Sequence, residues 1–336
     1  MASRISRKEF IKQAAGWSFV AAGITQLPIL SLAANANKKE TVSKAVGQVI
    51  IVRNPAIQSS EGILNPPILS QMLEQGMMKF AGKKTGSDAW KSYFKPTDVV
   101  GIKVNCIAGR NLSSRPEMVN AIIAGLKSAG VNENNIIVWD RTTHELRGCG
   151  FTINQDGAGV KCYGTDGFYD EKPAQQGSVS SKLSKILSER ITALINVPIL
   201  KDHGACGLSL TMKNHYGSIN NPGELHPNNC NPYCAELNAI PAIRNKTRLI
   251  IVDAIRPLAN GGPSDRPKYR WLYNGLMISS DPVAIDYMGW QIIEEQRKVM
   301  GLPTLTEQGR APKYIYTAAK LGLGTYDSGK MQVIYI

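Results

Sequence analysis

The segment Leu200–Gly217, LKDHGACGLSLTMKNHYG, concentrates side chains that can do chemistry. It contains Lys201, His203 and Lys213, followed by Asn214, and it holds two of the four histidines of the chain. Two lysines at one pocket suit a carboxylate, a phosphate or an enolate, because they stabilise negative charge there. A lysine among buried groups can also have a lowered pKa and act as a base or form a Schiff base. The alternative is that both lysines lie along apolar surface with their ammonium groups in water.

A second set of residues consists of softer metal ligands. His203 and Cys206 are spaced H-x2-C, and the later segment HPNNCNPYC supplies His226, Cys230 and Cys234. Mixed imidazole and thiolate ligands suit zinc, copper or iron, so this set predicts a site for a divalent transition metal. The prolines and asparagines around the last three indicate a loop rather than a helix.

Disulfides or free structural thiols are the competing interpretation of the cysteines. The chain has six cysteines, an even number that allows up to three disulfides in an exported protein. Cys149 with Cys162, and Cys230 with Cys234, are the local candidate pairs. No C-x2-C-x2-C run is present, so the sequence offers no cubane-cluster motif.

Continuous apolar strands that alternate with amphipathic helices predict the framework for these residues. This alternation indicates an α/β fold with a mostly parallel sheet and helices on both faces. The predicted strands cover 47–55, 98–105, 135–140, 159–164, 191–200, 247–255, 275–281 and 331–336. The predicted helices cover 64–82, 116–130, 181–190, 235–246, 282–300 and 313–324. Segments 141–180 and 204–235 are predicted to be coil-rich insertions.

Polar residues collect directly after the predicted strands, where an open parallel sheet binds its ligands. Turn preference explains some of the aspartates and asparagines, but not lysine or histidine at the end of a buried strand. The residues at these ends are Lys103, Asn105, Cys106, Asp140, Arg141, His144, Lys201, Asp202, His203, Asp253 and Asp281.

From these ends and the segment above, we predict one site. The predicted catalytic residues are Lys201, His203, Lys213, Asp253 and Asp281. Substrate binding is assigned to Lys103, Asn105 and Asn214.

Each residue type suggests a role in this site. The lysines would hold or polarise an anion, the asparagines would orient it, and His203 would be a general base or a metal ligand. Asp253 or Asp281 would orient the histidine or complete a metal shell. Asp281 is also the predicted N-cap of the helix that begins at Pro282, and His215 is the better candidate for a packing residue.

The charge of the chain favours an anionic partner. The formal charge is +13, of which residues 1–36 carry four basic groups and one acidic group. The basic residues are scattered and follow no nucleic-acid-binding pattern, so a small anion is the expected ligand rather than a nucleic acid. Neither a G-x-G-x-x-G run nor a Walker loop supports nucleotide binding.

Residues 1–36 resemble an export signal. A basic start precedes a moderately apolar stretch and the small-x-small triplet Ala34-Asn35-Ala36. Glycine, glutamine and proline interrupt the stretch, which argues against a stable membrane anchor. The run at 6–12 resembles a twin-arginine signal with Lys8 in place of the second arginine, so the export machinery is a predicted partner. A periplasmic or otherwise exported protein is expected, with a linker at 37–46 and a single domain at 47–336.

An ordered series of short motifs resembles the family named domain of unknown function 362. The motifs are GIKVN at 101–105, NVP at 196–198 leading to Lys201 and His203, Lys213-Asn214 with Gly217, Asp253, Gly262-Pro263, and DPVAID at 281–286. The resemblance covers roughly residues 47–325 and implies an α/β fold. In many relatives it also implies an export signal or an attached iron–sulfur module, and this sequence lacks the module.

Two hypotheses follow. The first is an exported protein of unassigned reaction with an anion-binding active site, with or without the help of a metal, at the carboxyl ends of the strands. The second is a non-catalytic periplasmic protein that binds a metal or helps an exported redox enzyme to mature.

Overall fold

The computed structural model describes residues 47–336. The predicted export signal at 1–36 and linker at 37–46 lie outside the described residues.

Ten strands of this part form one sheet and two more form a hairpin. The order of strands in the sheet is β12-β1-β11-β10-β7-β2-β3-β4. In addition, β8 pairs with β10 and with β9. The strands are β1 Gln48–Arg53, β2 Val100–Lys103, β3 Ile136–Trp139, β4 Lys161–Cys162, β5 Ala174–Gln176, β6 Val179–Ser181, β7 Ala193–Asn196, β8 Ile199–His203, β9 Gly207–Ser209, β10 Thr247–Leu258, β11 Gly275–Ser279 and β12 Gln332–Tyr335.

Helices cover both faces of the sheet. They are α1 Pro66–Ala81, α2 Gly86–Lys91, α3 Pro116–Ser128, α4 Thr143–Gly148, α5 Thr211–Asn214, α6 Tyr233–Ala239, α7 Pro241–Arg244, α8 Pro282–Val299 and α9 Tyr314–Lys320. Asp281 accepts backbone N–H groups at the first turn of α8, as predicted, and Asn65, Thr85 and Thr142 cap α1, α2 and α4 in the same way.

The sheet is mixed and mostly parallel, as predicted. Strand β10 runs parallel to β7 and β8, and β7, β2, β3 and β4 continue in the same sense. Strand β11 runs antiparallel to both of its neighbours, β1 and β10. The carboxyl end of β11 therefore lies away from the edge at which the parallel strands end.

Successive side chains of each strand point to opposite faces of the sheet, which produces two cores, one on each face. In β1, Val49 and Ile51 pack into one core while Ile50 and Val52 pack into the other. The first core includes side chains of α6, α8 and α9, and the second includes side chains of α1, α2 and α3. Strands buried on both faces have to be apolar throughout, which explains the continuous apolar runs of the sequence.

Several predicted elements differ from the structure: the predicted helix 235–246 is divided into α6 and α7 at Pro241, and the predicted strand 247–255 extends to Leu258 in β10. The predicted strand 191–200 is divided into β7 and β8 around Val197-Pro198, because proline has no N–H to donate to a ladder. Of the predicted helix 181–190, only a π-helical turn at Ile186–Arg190 forms. Its N-terminal end belongs to β6 instead.

Within residues 47–336, no helix combines the length and the apolar character needed to cross a bilayer.

Candidate functional site

A pocket of about 270 Å³ lies where the parallel strands end and the two predicted insertions meet. Residues after β2, β3 and β8 form its floor, and residues of the segment 204–235 form much of its wall. The lining residues are Asn105, Ile107, Asp140, Arg141, Glu145, His203, Ser209, Lys213, Asn214, Tyr216, Gly217, Pro222, Gly223, His226 and Pro263.

A buried ion pair forms the base of this pocket. Lys103 is fully buried, and its Nζ donates to Asp140 Oδ1 at 2.6 Å and to the Val104 carbonyl at 2.7 Å. The other Asp140 oxygen accepts the Cys106 N–H at 2.7 Å. A Cβ at Gly217 would lie 2.8 Å from Asp140 Oδ1 and 2.9 Å from Lys103 Nζ, so the lack of a side chain lets the backbone pass over the pair.

A chain of amides connects the pocket to the layer beneath it. Lys201 Nζ donates to Asn105 Oδ1 at 2.6 Å, and Asn105 Nδ2 donates to Asn214 Oδ1 at 3.0 Å. Asn214 Nδ2 in turn donates to Asn196 Oδ1 at 2.7 Å. Each amide has its oxygen and nitrogen fixed by a partner, so Asn105 and Asn214 present one defined orientation to the pocket.

Lys201 lies behind Asn105 and does not line the cavity. Its side chain is fully buried, and no carboxylate of residues 47–336 lies within ion-pairing distance of it. The pKa of Lys201 is lowered to about 8. Burial is the main cause, the nearby Lys213 adds to the shift, and Asp140 opposes it. Lys201 is placed to position Asn105, which is the residue that reaches the pocket.

Lys213 lines the pocket without a carboxylate partner among the described residues. It is 6% exposed, and its Nζ lies 3.1 Å from His226 Nε2 and 3.4 Å from the centre of the Tyr216 ring. A ring face attracts a cation, but neither contact neutralises its charge. A buried ammonium without a counter-ion is costly, so this part of the pocket favours an anion.

Both pocket histidines are neutral at neutral pH. Burial lowers the pKa of His203 to about 3, helped by the positive charge of Lys213. Burial and Lys213 also lower the pKa of His226. The two rings stack with their centres 5.6 Å apart.

Hydrogen-bond partners fix the tautomer of each ring. His203 Nδ1 accepts the Ala205 N–H at 3.1 Å, so the proton of the neutral ring is on Nε2. In His226, Nδ1 donates to the Gly223 carbonyl at 3.2 Å and Nε2 faces the Lys213 ammonium. His203 therefore supplies a neutral N–H donor, whereas both nitrogens of His226 are occupied.

The structure brings six of the eight predicted catalytic and substrate-binding residues together. Asn105, His203, Lys213 and Asn214 line the pocket. Lys103 and Lys201 contact these residues from beneath, so they support the pocket rather than face it.

Asp253 and Asp281 are not brought to the pocket. Asp281 follows β11, which runs antiparallel, and its carboxylate caps α8 by accepting the Val283 and Ala284 N–H groups. Asp253 lies inside β10, which is longer than predicted, and its carboxylate pairs with Arg115. Neither aspartate is therefore placed to orient His203, contrary to the prediction. The antiparallel direction of β11 separates Asp281 from the pocket, and the length of β10 leaves Asp253 inside the strand.

The predicted metal ligands do not form a ligand set. Within residues 47–336, no group of three or more histidine, cysteine, aspartate or glutamate side chains is arranged to hold a metal ion. His203 and His226 face the pocket, whereas Cys206, Cys230 and Cys234 are buried in one of the two cores. All six cysteines are free thiols in the structure.

Several pocket residues were not in the predicted set. Asp140 and Arg141 follow β3, so their position gave a signal, and Pro263 follows the glycine-rich turn NGG. Arg141 forms an ion pair with Glu145 of α4. Tyr216 gave no signal, because an aromatic residue beside a histidine is typical of many cores. His215 is buried between Asn196 and Ser218, consistent with a packing role.

Comparison with known proteins places the sequence in one family. The model of the family described as "Domain of unknown function (DUF362)" matches residues 100–291. A crystal structure of a protein from Thermotoga maritima is similar at 11% identity over 71% of this chain and 60% of that chain, with a TM-score of 0.36. None of the curated proteins matches this sequence.

Proposed function

The chain belongs to the DUF362 family, and we propose that its pocket binds and polarises a small organic anion that carries a carboxylate or a phosphate group. The observation that carries this proposal is Lys213, a buried ammonium at the pocket surface without a carboxylate partner in residues 47–336. An anionic ligand would supply the missing negative charge in a site largely shielded from water.

Two further lining residues have donors that suit the same ligand. The Nε2–H of His203 and the second N–H of the Asn105 amide can donate to an anionic oxygen, whereas both N–H groups of Asn214 are held by Lys103 and Asn196. A charge-assisted hydrogen bond from Lys213 would be the strongest of these interactions. Because the donors are held in place before a ligand arrives, they could also stabilise negative charge that develops on it during a reaction.

The size and walls of the pocket favour a small organic ligand over a free inorganic ion. A volume of about 270 Å³ is at the lower end of ordinary ligand sites. Ile107, Pro222 and Pro263 contribute apolar lining, and the Tyr216 ring lies beside Lys213. A ligand with a short carbon skeleton would contact these walls while its charged end meets Lys213.

A panel of small anions tests this proposal. The purified protein is screened by thermal unfolding against short mono- and dicarboxylates and phosphate monoesters, because a ligand that binds the native state raises the unfolding temperature. For each anion that does so, calorimetry is repeated with Lys213→Met. We expect a loss of affinity of about 10- to 100-fold, which is the contribution of a hydrogen bond to a charged group.

A matched variant distinguishes binding in the pocket from attraction of the anion to the net positive charge of the protein. Lys83→Met removes one positive charge at an exposed position outside the pocket and should leave the affinity unchanged. Equal losses in the two variants would mean that the anion responds to net charge alone. The proposal would also fail if no member of the panel bound at millimolar concentration.

We propose in addition that the protein works outside the cytoplasm, as the pattern in residues 1–36 suggests. Cleavage after Ala36 would make Asn37 the first residue. N-terminal sequencing of protein recovered from the periplasm checks this, and an intact Met1 there would contradict it.

A further inference from the structure

The cysteines are paired in space in a way that the sequence does not suggest. Cys149 Sγ donates to the Cys106 carbonyl oxygen at 3.3 Å, so these two cysteines are neighbours although 43 residues separate them, and the Cys106 thiol lowers the pKa of Cys149. Cys206 and Cys230 are buried in the same core, on two segments whose His203 and His226 rings stack, and the Cys206 thiol lowers the pKa of Cys230. Neighbouring cysteines can form a disulfide where their Cα atoms lie within about 7 Å.

We infer that Cys106 with Cys149, and Cys206 with Cys230, are two disulfide-forming pairs, each joining two segments that carry pocket residues. This pairing differs from the two local pairs that the spacing suggested. Cys162 lies on β4, and within the described residues its thiol has no hydrogen bond to another cysteine. Cys234 lies four residues after Cys230 in the sequence, but it is the Cys206 thiol that lowers the pKa of Cys230.

The first pair would fix one side of the pocket. Cys106 lies between Asn105 and Ile107, which both line the cavity. Cys149 follows the last residue of α4, the helix that carries Glu145. A bond between them would hold the loop after β2 against this helix, closing a loop across a separation of 43 residues.

The second pair would fix another part of the pocket. Cys206 lies in the turn between β8 and β9, close to His203, and Cys230 follows the short segment that begins at His226. His203 and His226 already stack across the two segments. A bond between the cysteines would hold the stacked rings and, through His226, the ammonium of Lys213.

The oxidation requires a disulfide-bearing oxidant, such as oxidised glutathione. The Cys149 thiolate attacks one sulfur of the oxidant, forming a mixed disulfide and releasing one glutathione thiolate. The Cys106 thiolate then attacks the Cys149 sulfur and releases the second, so two protein thiols become one disulfide and one glutathione disulfide becomes two thiols. All four thiols are buried, so the exchange belongs to folding, before the cores close.

Peptide mapping tests this inference on the full chain. The protein is refolded in a mixture of oxidised and reduced glutathione, its free thiols are alkylated, and its digest is analysed by mass spectrometry without reduction. We expect linked peptides for Cys106 with Cys149 and for Cys206 with Cys230, and alkylated Cys162 and Cys234. Reduction should then lower the thermal midpoint by roughly 10 °C.

Cysteine variants test each assigned disulfide pair separately. Cys106→Ala should leave Cys149 alkylated, whereas the matched changes Cys162→Ala and Cys234→Ala should leave both links intact. Six alkylated cysteines after refolding would overturn the inference, as would a link of Cys149 to Cys162 or of Cys230 to Cys234. If only one of the two links formed, the other pair would be overturned.

Discussion

Two clusters of buried charge lie on either side of β8, and they differ in how the charge is balanced. In the first, Asp202 accepts from Arg310 at 2.8 Å, and the Arg297 guanidinium lies 3.9 Å away. In the second, Lys201 and Lys213 face amides, an imidazole and an aromatic ring, with no carboxylate of residues 47–336 in ion-pairing range. Adjacent residues of one strand, Lys201 and Asp202, thus enter opposite environments.

The first cluster is complete without a ligand. Arg297 is fully buried, and its donors reach the carbonyls of Pro303 and Ala259 and the side chain of Gln308. Arg310 also donates to the His203 carbonyl at 3.0 Å, so this cluster anchors the end of β8. The difference teaches that burial alone does not identify a functional charge; a buried charge without a counter-ion is the informative feature.

Removing the central carboxylate of the complete cluster should have the largest effect. Asp202→Asn keeps the side-chain shape but leaves Arg297 and Arg310 without their negative partner. We expect a loss of about 3–5 kcal/mol in the free energy of unfolding, measured by denaturant titration. Lys127→Ala, which breaks an exposed ion pair with Glu133, is the control and should leave the midpoint in place. A similarly small change for Asp202→Asn would contradict the distinction between the clusters.

An intermediate effect is expected from the pH dependence of Lys201. Its folded-state pKa of about 8 is below the ordinary value of 10.5, so the unfolded chain binds more protons between these two pH values. Stability therefore rises with pH in this window. Relative to Lys201→Met, the wild-type protein should gain about 2 kcal/mol between pH 8 and pH 10. Denaturant unfolding of both proteins at the two pH values measures the gain, and parallel curves would show that Lys201 is not desolvated.

The smallest effect is expected at acidic pH from His203. Its pKa of about 3 in the folded protein is below the ordinary 6.5, so the stability from its neutral form is present above pH 6.5 and is lost as the pH falls towards 3. Between pH 7 and pH 5.5 the wild-type protein should lose about 1 kcal/mol more than His203→Gln. Unfolding curves at these two pH values test this, and equal losses would place His203 in contact with water.

Much of the fold could be predicted from the sequence, because local patterns encode it. Continuous apolar strands, capped helices and Pro282 after Asp281 all correspond to observed elements. The position of the pocket followed from the same patterns, since the carboxyl ends of parallel strands converge. Asn105, His203, Lys213 and Asn214 were predicted on this basis and do line it.

Strand direction was not contained in any local pattern. An apolar run such as Gly275–Ser279 has the same composition in a parallel or an antiparallel strand, and only its pairing with β1 and β10 decides where Asp281 points. The same limit applies to the cysteines, because sequence spacing favours near neighbours whereas packing brings Cys106 to Cys149.

The sequence by itself determined an α/β sheet, its helices and an edge rich in lysine, histidine and asparagine. Tertiary structure alone decided which of these groups face a ligand and which support it from behind. Lys103 and Lys213 are both lysines at such positions, yet one meets Asp140 and the other meets a pocket without a carboxylate partner for it among the described residues. The physical reason is that charge balance depends on neighbours that are distant along the chain and close only after folding.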